Sequence, residues 1–369
     1  MARPELEAGD RVVVKVGTAS LMGAGNEIDG ARLEALVEGI AAARAGGSPT
    51  VLVSSGAIAA GLEPLGLGVR PTDIPSLQAA AAVGQGRLLE RYARSFAARG
   101  LVAAQLLLTR YDFMHRQQYL NARNTLERLL ALGAIPIVNE NDTVAVDEIR
   151  FGDNDRLAAL VANLAGARLL LLLTDAAGLH ARDPRVEPGS PLLREVDRIT
   201  PELERAAGGR GTALGSGGMA SKIAAAWVAT FSGVGVVVAH AHEPNVIERV
   251  IGGDEIGTYF HPHATRISAR RLWIAFGQPP RGTVVVDDGA RRALIESKRS
   301  LLPVGVVEVV GPFDAGDAVD VADPSGEVFA RGLVRYSSEE LTTARGRPSA
   351  ELAGREAIHR DQLVVLARD

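Results

Sequence analysis

One stretch of this chain combines residue types that bind phosphate. Residues 215–222 read Gly-Ser-Gly-Gly-Met-Ala-Ser-Lys and lead directly into an apolar, helix-like run. Glycine lets backbone N–H groups turn toward an anion, and a helix that begins there adds unpaired N–H groups and its positive dipole end. Lys222 supplies a mobile positive charge. Taken alone, the stretch fits a phosphate-binding loop and a glycine-rich surface turn about equally well.

Two more specific nucleotide motifs do not fit this stretch. A Walker A loop needs Gly-Lys-Ser/Thr in direct succession, and here Ala220 and Ser221 stand between glycine and lysine. A dinucleotide fingerprint should follow a strand and precede an acidic residue on the next strand. The glycine-rich residues 206–211 come before the loop instead, and the first acidic residue after it is Glu243. Residues 215–222 therefore keep the interpretation of a phosphate-binding loop that belongs to neither of these two motifs.

Polar clusters also follow several predicted strands, and ligands of open α/β sheets bind beyond the carboxyl ends of strands. Each cluster has an ordinary explanation: Lys15 could face solvent, and serine or aspartate could cap a helix. Carboxylates can also hold an ammonium group or orient a lysine, and amides can bind a carboxylate. An amino acid presents both groups. The clusters are Lys15 with Gly17-Thr18, Ser54-Ser55-Gly56, Asn139-Glu140-Asn141-Asp142, Gly152-Asp153-Asn154-Asp155 and Thr174-Asp175.

Together, two lysines for phosphates and an acid and amide pocket for an amino acid indicate phosphoryl transfer from ATP to an amino acid. A side-chain carboxylate with an ordinary pKa of about 4.3 is already ionised at neutral pH, so it needs no general base. This explains a site without a Ser-His pair. We expect Mg²⁺ to be held largely by the phosphates, without dedicated protein ligands.

The elements that must position these residues alternate between strand and helix, which predicts parallel β-α-β units. Around residue 280 the pattern changes to short β-rich segments behind a Pro-Gly stretch. We therefore predict an α/β fold, an open, mostly parallel sheet between helices over residues 1–275, a linker at 276–280 and a small, mostly β domain over 281–369. The predicted strands of the large domain are 11–16, 50–53, 102–108, 135–138, 169–173 and 234–238, and those of the small domain are 283–286, 306–310, 318–321 and 363–366.

Composition narrows the function classes. The 369 residues are 47% hydrophobic with a net charge of −4, which offers no general attraction to nucleic acid or anionic lipid. The chain has no cysteine, which excludes disulfides and thiolate chemistry. No apolar run has membrane-spanning length, and the N-terminus lacks the pattern of a signal peptide. We expect a cytoplasmic protein whose partners are small molecules or other proteins.

With these motifs in order along the chain, the sequence resembles the glutamate-phosphorylating members of the amino acid kinase family. The resemblance covers nearly the whole length and its motifs are highly specific in combination. The segment ending Ile-His-Arg-Asp-Gln-Leu at 358–363 resembles a PUA domain. The matching motifs are Lys15-Val16-Gly17-Thr18, residues 53–61, Leu120-Asn121-Ala122-Arg123, residues 139–142 and 152–155, Leu173-Thr174-Asp175, and Gly217-Gly218-Met219 with Lys222.

The resemblance implies a site and a product. It places Lys15 and Lys222 on the ATP phosphates and the transferred group, with Asp155 organising the two lysines. It assigns glutamate to Ser55, Asp142 and Asn154. It assigns the nucleotide, besides Lys15, to Thr174, Asp175, Ser216, Gly217, Gly218, Met219, Ala220, Ser221 and Lys222. The product is then glutamyl 5-phosphate, the first intermediate toward proline.

Further expectations come with the resemblance. Family members are commonly inhibited by proline, often form dimers or tetramers, and would hand a labile acyl phosphate to the reductase of the next step. This chain departs from the family pattern at Ala19, where a hydroxyl residue is often found, and at Ser216, which replaces a threonine. Either change could alter affinity for the nucleotide or glutamate, although neither removes a lysine or an acid.

Two alternatives stay open at the level of sequence. The first is a kinase for another acid, such as aspartate, acetylglutamate or a phosphorylated small molecule; those relatives usually lack the Asn-Glu-Asn-Asp stretch. The second is an RNA-binding protein, because PUA domains occur in RNA-modifying enzymes. Residues 277–369 carry 12 Lys and Arg against 15 Asp and Glu, whereas an RNA-binding module is expected to be basic. We therefore do not expect RNA as a partner.

Overall fold

A computed structural model describes residues 3, 5–23, 27–144, 154–200, 203, 207, 218–263, 280–352 and 354–366 of the chain. It divides into two compact units, Met1–Arg266 and Ile267–Asp369. The predicted linker at 276–280 lies almost entirely outside the described residues, so the exact domain limits stay a prediction. Among the helices of the described residues, none has the length and apolar character needed to cross a bilayer.

The first unit is built on an eight-stranded sheet in the order β3-β4-β2-β1-β5-β7-β8-β6. Neighbouring strands run parallel except for β7 and β8, which are antiparallel. This confirms the predicted mostly parallel α/β sheet. The strands are β1 (Val12–Val16), β2 (Thr50–Ser54), β3 (Ala103–Leu108), β4 (Ile135–Glu140), β5 (Leu169–Thr174), β6 (Glu195–Val196), β7 (Gly235–His240) and β8 (Thr258–Phe260).

Helices cover this sheet because its central strands are apolar on both faces. Every residue of β1, β2 and β5 is buried, as expected for strands enclosed between helical layers. The helices described in this unit are α1 (Thr18–Leu21), α2 (Gly30–Ala45), α3 (Ala57–Leu62), α4 (Ile74–Ala97), α5 (Arg110–Met114), α6 (Arg116–Ala131), α7 (Asn154–Ala165), α8 (Met219–Phe231) and α9 (Val246–Ile251).

The main core shows how the sheet is held. Alternate residues of β1 and β5, including Val14 and Leu171, join one buried cluster with Ile40 of α2, Phe96 of α4 and Ile247 of α9. On the other side α7 packs against β1, β2, β4 and β5, and also against α8. Because α7 and α8 both begin at the carboxyl edge of the sheet, their first turns are fixed beside the ends of these strands.

Helices α3 and α4 cross at unusually short range through Gly61 and Gly84. A Cβ atom built on Gly61 would lie 1.8 Å from the Ala80 carbonyl oxygen, and one on Gly84 would lie 1.7 Å from that of Ala57. Both contacts are with backbone, which cannot rotate away as a side chain can. The two glycines therefore fix α4 against the helix that follows β2.

We expect Gly84→Ala to lower the free energy of unfolding by at least about 3 kcal/mol, because the overlap forces the helices apart. Urea unfolding followed by circular dichroism measures the change. Gly86, two residues further along α4, has open space where its Cβ would lie. Gly86→Ala should be neutral or stabilising by up to about 1 kcal/mol. Equal stability of the two variants would contradict the close-crossing interpretation.

The second unit contains a five-stranded sheet in the order β10-β9-β11-β12-β13, in which only β9 and β11 are parallel neighbours. This confirms the small, mostly β domain. The described residues of this unit include the helices α10 (Asp288–Ile295) and α11 (Ser338–Ala344). Its strands are β9 (Gly282–Val286), β10 (Val306–Val310), β11 (Ala318–Ala322), β12 (Val328–Leu333) and β13 (Leu363–Val365).

Strand β12 was not predicted from the sequence, because Arg331 and Gly332 interrupt its apolar pattern. In the structure Arg331 lies opposite Asp320 of β11, and the two side chains form a buried ion pair at 2.8 Å. The charge is therefore compatible with a central strand because a neighbouring strand supplies its partner.

Candidate active site

Two lysines from different elements meet on one buried carboxylate. The Nζ atom of Lys15 lies 2.5 Å from one carboxylate oxygen of Asp155, and the Nζ atom of Lys222 lies 3.2 Å from the other. The side chains of both lysines are 5% exposed and that of Asp155 is fully buried. The structure thus brings the three predicted catalytic residues together.

The fold explains why these residues meet. Lys15 is the fourth residue of β1, Asp155 is the second residue of α7, and Lys222 lies in the first turn of α8. All three positions are at the carboxyl edge of the sheet. The alternative of a solvent-facing Lys15 is wrong, since Lys15 is buried and points into this cluster.

The electrostatics of Asp155 follow from its two partners. Burial alone would raise the pKa of this carboxyl group, but the charges of Lys15 and Lys222 and the hydrogen bonds from Lys15 and Ser221 hold it below its usual range. Asp155 is therefore an anion at neutral pH. It keeps two ammonium groups close together although they repel each other.

The serine before Lys222 joins the same cluster. The Ser221 hydroxyl contacts an Asp155 carboxylate oxygen at 2.6 Å and the Gly218 carbonyl at 2.9 Å. Gly218 caps α8 without a side chain, and Met219 and Ala220 form the start of the helix. A helix start of this kind presents backbone N–H groups to an anion. Ser216 and Gly217, also predicted to bind nucleotide, lie outside the described residues.

A second, neutral cluster lies beside the first and is centred on Asn154. Its side-chain nitrogen donates to the Ser54 carbonyl at 3.0 Å, to the Ser55 hydroxyl at 3.0 Å and to Asn139 Oδ1 at 2.7 Å. One amide thus ties the loop after β2 to the end of β4. Asn154 and Asp155 are consecutive, so the neutral cluster is coupled directly to the charged one.

These contacts leave hydrogen-bond donors for a ligand. Because the Ser55 oxygen accepts from Asn154, its own proton can be donated elsewhere. Asn139 Oδ1 accepts both from Asn154 and from the Glu140 N–H at 2.9 Å, so the nitrogen of its amide remains a donor. A hydroxyl and an amide at one sheet edge suit a carboxylate ligand. Asp142, predicted to bind substrate, lies three residues past Asn139 in the turn after β4 and is partly buried.

The other predicted nucleotide residues lie at the end of β5. The Thr174 hydroxyl donates to the Asp175 carboxylate at 3.0 Å, and the Thr174 carbonyl accepts from the Ala241 N–H at 2.7 Å. Thr174 is buried, whereas Asp175 is exposed. The pair is placed at the same edge as Lys15, since β5 is the neighbour of β1. Its part in nucleotide binding stays a prediction.

Sequence reasoning missed a compositional signal. Of the 40 Lys and Arg residues only three are lysines, namely Lys15, Lys222 and Lys298. A chain that otherwise uses arginine keeps lysine where a compact, rotatable point charge is needed. Two of the three lysines share one carboxylate, so the rarity of lysine singles out the same two residues as the motifs do.

Taken together, the geometry supplies paired positive charge, a helix start and a neutral donor cluster at one edge of the sheet. Two ammonium groups can neutralise charge on a transferring phosphoryl group, and neutral donors can orient a carboxylate beside it. A carboxylate acceptor, which is ionised at neutral pH, suits such a site.

Comparisons with known proteins point in the same direction. The amino acid kinase family model matches residues 10–240, and the PUA domain model matches residues 282–354. Glutamate 5-kinase of Geobacter sp. (strain M21) is 47% identical over 373 residues, covering 99% of this chain and 100% of the relative. Glutamate 5-kinase of Streptomyces coelicolor (strain A3(2)) is 48% identical and covers 99% of both chains.

A third curated relative and one solved structure also match this chain. Glutamate 5-kinase of Myxococcus xanthus (strain DK1622) is 47% identical, covering 99% of this chain and 98% of the relative. Among solved structures, UMP kinase of Bacillus anthracis matches with a TM-score of 0.47 and 16% identity, covering 69% of this chain and 97% of that chain.

Proposed function

The chain belongs to the amino acid kinase family and to its glutamate 5-kinase members, and on that basis we propose how its own residues carry the reaction. It uses ATP to phosphorylate the γ-carboxylate of L-glutamate, giving glutamyl 5-phosphate in the first step of proline biosynthesis. The observation that carries the proposed site is the pair of buried lysines on Asp155, beside the Asn154 cluster.

The chemistry follows from charge. An oxygen of the ionised γ-carboxylate attacks the γ-phosphorus of ATP, a new O–P bond forms, and the bond to the bridging oxygen breaks so that ADP leaves with the electron pair. Lys15 and Lys222 neutralise the γ-phosphoryl oxygens as charge develops. Asp155 holds both ammonium groups at fixed positions, so little reorganisation is needed during transfer. The start of α8, with Ser216 to Lys222, and Thr174-Asp175 bind the nucleotide.

On the substrate side, Ser55, Asn154 and Asp142 bind glutamate. The Ser55 hydroxyl donates to a substrate carboxylate, Asn154 fixes that hydroxyl and the loop around it, and the Asp142 carboxylate receives the α-ammonium group. These assignments match each ligand group with a group of opposite charge or hydrogen-bonding sense.

The residues present fit a metal ion that arrives with the nucleotide. Within the described residues no three His, Asp or Glu side chains come together as a metal site. Asp155 is engaged by two ammonium groups, which makes it a poor ligand for a cation. We propose that Mg²⁺ is held by phosphate oxygens and water, where it neutralises charge on the phosphates.

Regulation and context are further proposals. Proline carries the α-carboxylate and amine of glutamate without the reacting carboxylate, so it would occupy the glutamate pocket without reacting and act as a feedback inhibitor. We also propose a dimer or tetramer in the cytoplasm and transfer of the labile acyl phosphate to glutamyl phosphate reductase. Proline inhibition curves at several glutamate concentrations test the feedback proposal. Sedimentation of the purified protein tests the oligomeric state.

The deciding experiment is ATP- and Mg²⁺-dependent hydroxamate formation with glutamate, aspartate and acetylglutamate in parallel, each with and without proline. Hydroxylamine traps an acyl phosphate directly. A signal with glutamate alone supports the proposal, and its suppression by proline supports competition at this pocket. A signal with another acid would keep the kinase reaction and reject the glutamate pocket, and no signal with any acid would reject the activity.

Asn154→Ala should mainly affect glutamate use. The change removes the amide that joins Ser54, Ser55 and Asn139, so the loop that binds substrate loses its anchor. We expect KM for glutamate to rise roughly 10-fold or more, as for loss of buried hydrogen bonds, while KM for ATP changes by less than about twofold. Initial rates with each substrate varied in turn measure both. A selective rise in KM for ATP would contradict the assignment.

A further inference from the structure

Helix α4 directs two buried polar side chains toward the carboxyl ends of β2 and β4, beside the proposed glutamate site. Gln85 and Tyr92 are seven residues apart, so they lie on one face of the helix two turns from each other. Gln85 is 7% exposed and Tyr92 is fully buried. Burying polar groups among apolar neighbours is unfavourable unless they are hydrogen-bonded. Their partners therefore indicate what they do.

Tyr92 reaches the loop after β2. The hydroxyl groups of Tyr92 and Ser54 are 2.9 Å apart, and the Ser54 hydroxyl donates to the Ser55 carbonyl at 3.2 Å. Either hydroxyl could donate in the first bond, and when Ser54 gives its proton to the Ser55 carbonyl, Tyr92 is the donor. Burial raises the pKa of Tyr92, so the phenol keeps that proton. These two hydrogen bonds form a relay that connects Tyr92 of α4, through the Ser54 hydroxyl, with the carbonyl group of Ser55.

The relay completes the support of Ser55. Its N–H donates to the Val16 carbonyl at 3.2 Å, its hydroxyl accepts from Asn154 at 3.0 Å, and its carbonyl accepts from Ser54. Strand β1 and helix α7 therefore each hold one polar group of Ser55 directly, and α4 supports the third through Ser54. The contribution of α4 depends on Tyr92.

Gln85 reaches the carboxyl end of β4. Its side-chain nitrogen donates to the Glu140 carbonyl at 3.2 Å, and its side-chain oxygen accepts from Gln105 at 3.3 Å. Gln105 lies on β3, next to β4. The Glu140 N–H in turn donates to Asn139 Oδ1. The carboxamide of Gln85 thus holds the carbonyl of Glu140, the residue whose own N–H bonds the Asn139 side chain.

The helix that carries both side chains is itself held firmly. Gly84, adjacent to Gln85, makes the close backbone crossing with α3, the helix that continues from the Ser55 loop. The hydrogen bonds of Gln85 and Tyr92 are made with Glu140, Gln105 and Ser54, which lie at the ends or edges of β2, β3 and β4. The support they give is therefore directed to the glutamate side of the site.

We propose that Gln85 and Tyr92 are positioning residues for glutamate, which hold Ser55 and the carboxyl end of β4 in the geometry that binds the substrate. This inference rests on the proposed function, which assigns glutamate to Ser55 and to Asp142, just after β4. Gln85 and Tyr92 act through other residues and do not touch the reacting atoms. Their loss should therefore affect affinity for glutamate far more than turnover or affinity for ATP.

Tyr92→Phe tests the relay because it removes only the hydroxyl, and Gln85→Met tests the other contact at similar side-chain length. With the full-length protein and the hydroxamate assay, we expect each variant to raise KM for glutamate about 5- to 10-fold, the effect of one buried hydrogen bond. KM for ATP and kcat should stay within about twofold. Ser54→Ala removes the Tyr92 bond from the loop side, and the Tyr92→Phe/Ser54→Ala double variant should resemble the singles.

A matched control is Tyr336→Phe, because Tyr336 is a buried tyrosine of the second unit whose hydroxyl donates to the Arg355 carbonyl. It should leave both KM values unchanged. Unchanged KM for glutamate in Tyr92→Phe and Ser54→Ala, or equal rises for both substrates, would overturn the inference. If Tyr92→Phe does not fold, KM for glutamate of the Ser54→Ala variant tests the inference instead. A wild-type protein that forms no hydroxamate from glutamate would overturn the proposed function itself, whatever the variants do.

Discussion

Lys222→Ala is expected to lower kcat by about 100- to 1000-fold, the usual cost of removing one group that stabilises charge in a transition state. Lys222 is one of two cations within reach of the same carboxylate, and the other, Lys15, comes from a different element. Neither cation can move into the position of the other. Steady-state rates of hydroxamate formation at saturating ATP and glutamate measure the loss.

The chain provides its own control for this experiment. Lys298, the third lysine, lies in the second unit, and Lys298→Ala should leave kcat unchanged. Lys222→Arg keeps the charge but replaces a rotatable ammonium group with a planar fork, so we expect it to restore only part of the activity. Turnover of Lys222→Ala within about a factor of two of wild type would show that the start of α8 does not serve the transferred phosphoryl group.

Much of this site could be predicted from the sequence because parallel sheets place strand ends together. Once β1, β2, β4 and β5 are recognised, the residues after each strand must lie at one edge. The placement of Lys15, Ser55 and Thr174 at one edge follows from that rule. What the rule cannot give is the pairing within the edge, such as Lys15 and Lys222 on a single carboxylate, because hydrogen bonds depend on distances of a few tenths of an ångström.

The supporting residues were harder to find for a physical reason. Gln85 and Tyr92 lie within a long amphipathic helix, where an occasional polar side chain usually faces solvent or is simply satisfied in the core. Only the three-dimensional contacts show that they reach Ser54 at the end of β2 and Glu140 at the end of β4. The same holds for β12, because the buried charge of Arg331 is explained only by a partner on the neighbouring strand.

Asp155→Asn should be the most destabilising change at the site. It removes the carboxylate that contacts two buried ammonium groups, so their mutual repulsion is no longer offset by Asp155. Breaking a buried ion pair from one side typically costs about 3–5 kcal/mol of unfolding free energy. We expect a loss of about that size at pH 7, measured by urea unfolding and circular dichroism, together with a large fall in kcat, because the lysines are no longer fixed.

The pH dependence distinguishes this mechanism from a simple packing defect. The pKa of Asp155 in the folded protein lies below its unfolded value, ordinarily about 3.9. Its ionisation therefore stabilises the fold fully above that unfolded value, and this contribution is lost as pH falls through the folded pKa. The stability gap between wild type and Asp155→Asn should be constant from about pH 5 to 8 and narrow below about pH 4.

Asp183 is the matching surface control. Hydrogen bonds from Arg185 lower the pKa of Asp183 to about 2, yet both groups are on the surface. Exposed ion pairs contribute little because water screens them, so Asp183→Asn should leave the unfolding curve at pH 7 nearly unchanged. If the two Asn variants behaved alike, or if the gap at Asp155 widened in acid, the stabilising effect could not come from a buried carboxylate held between two lysines.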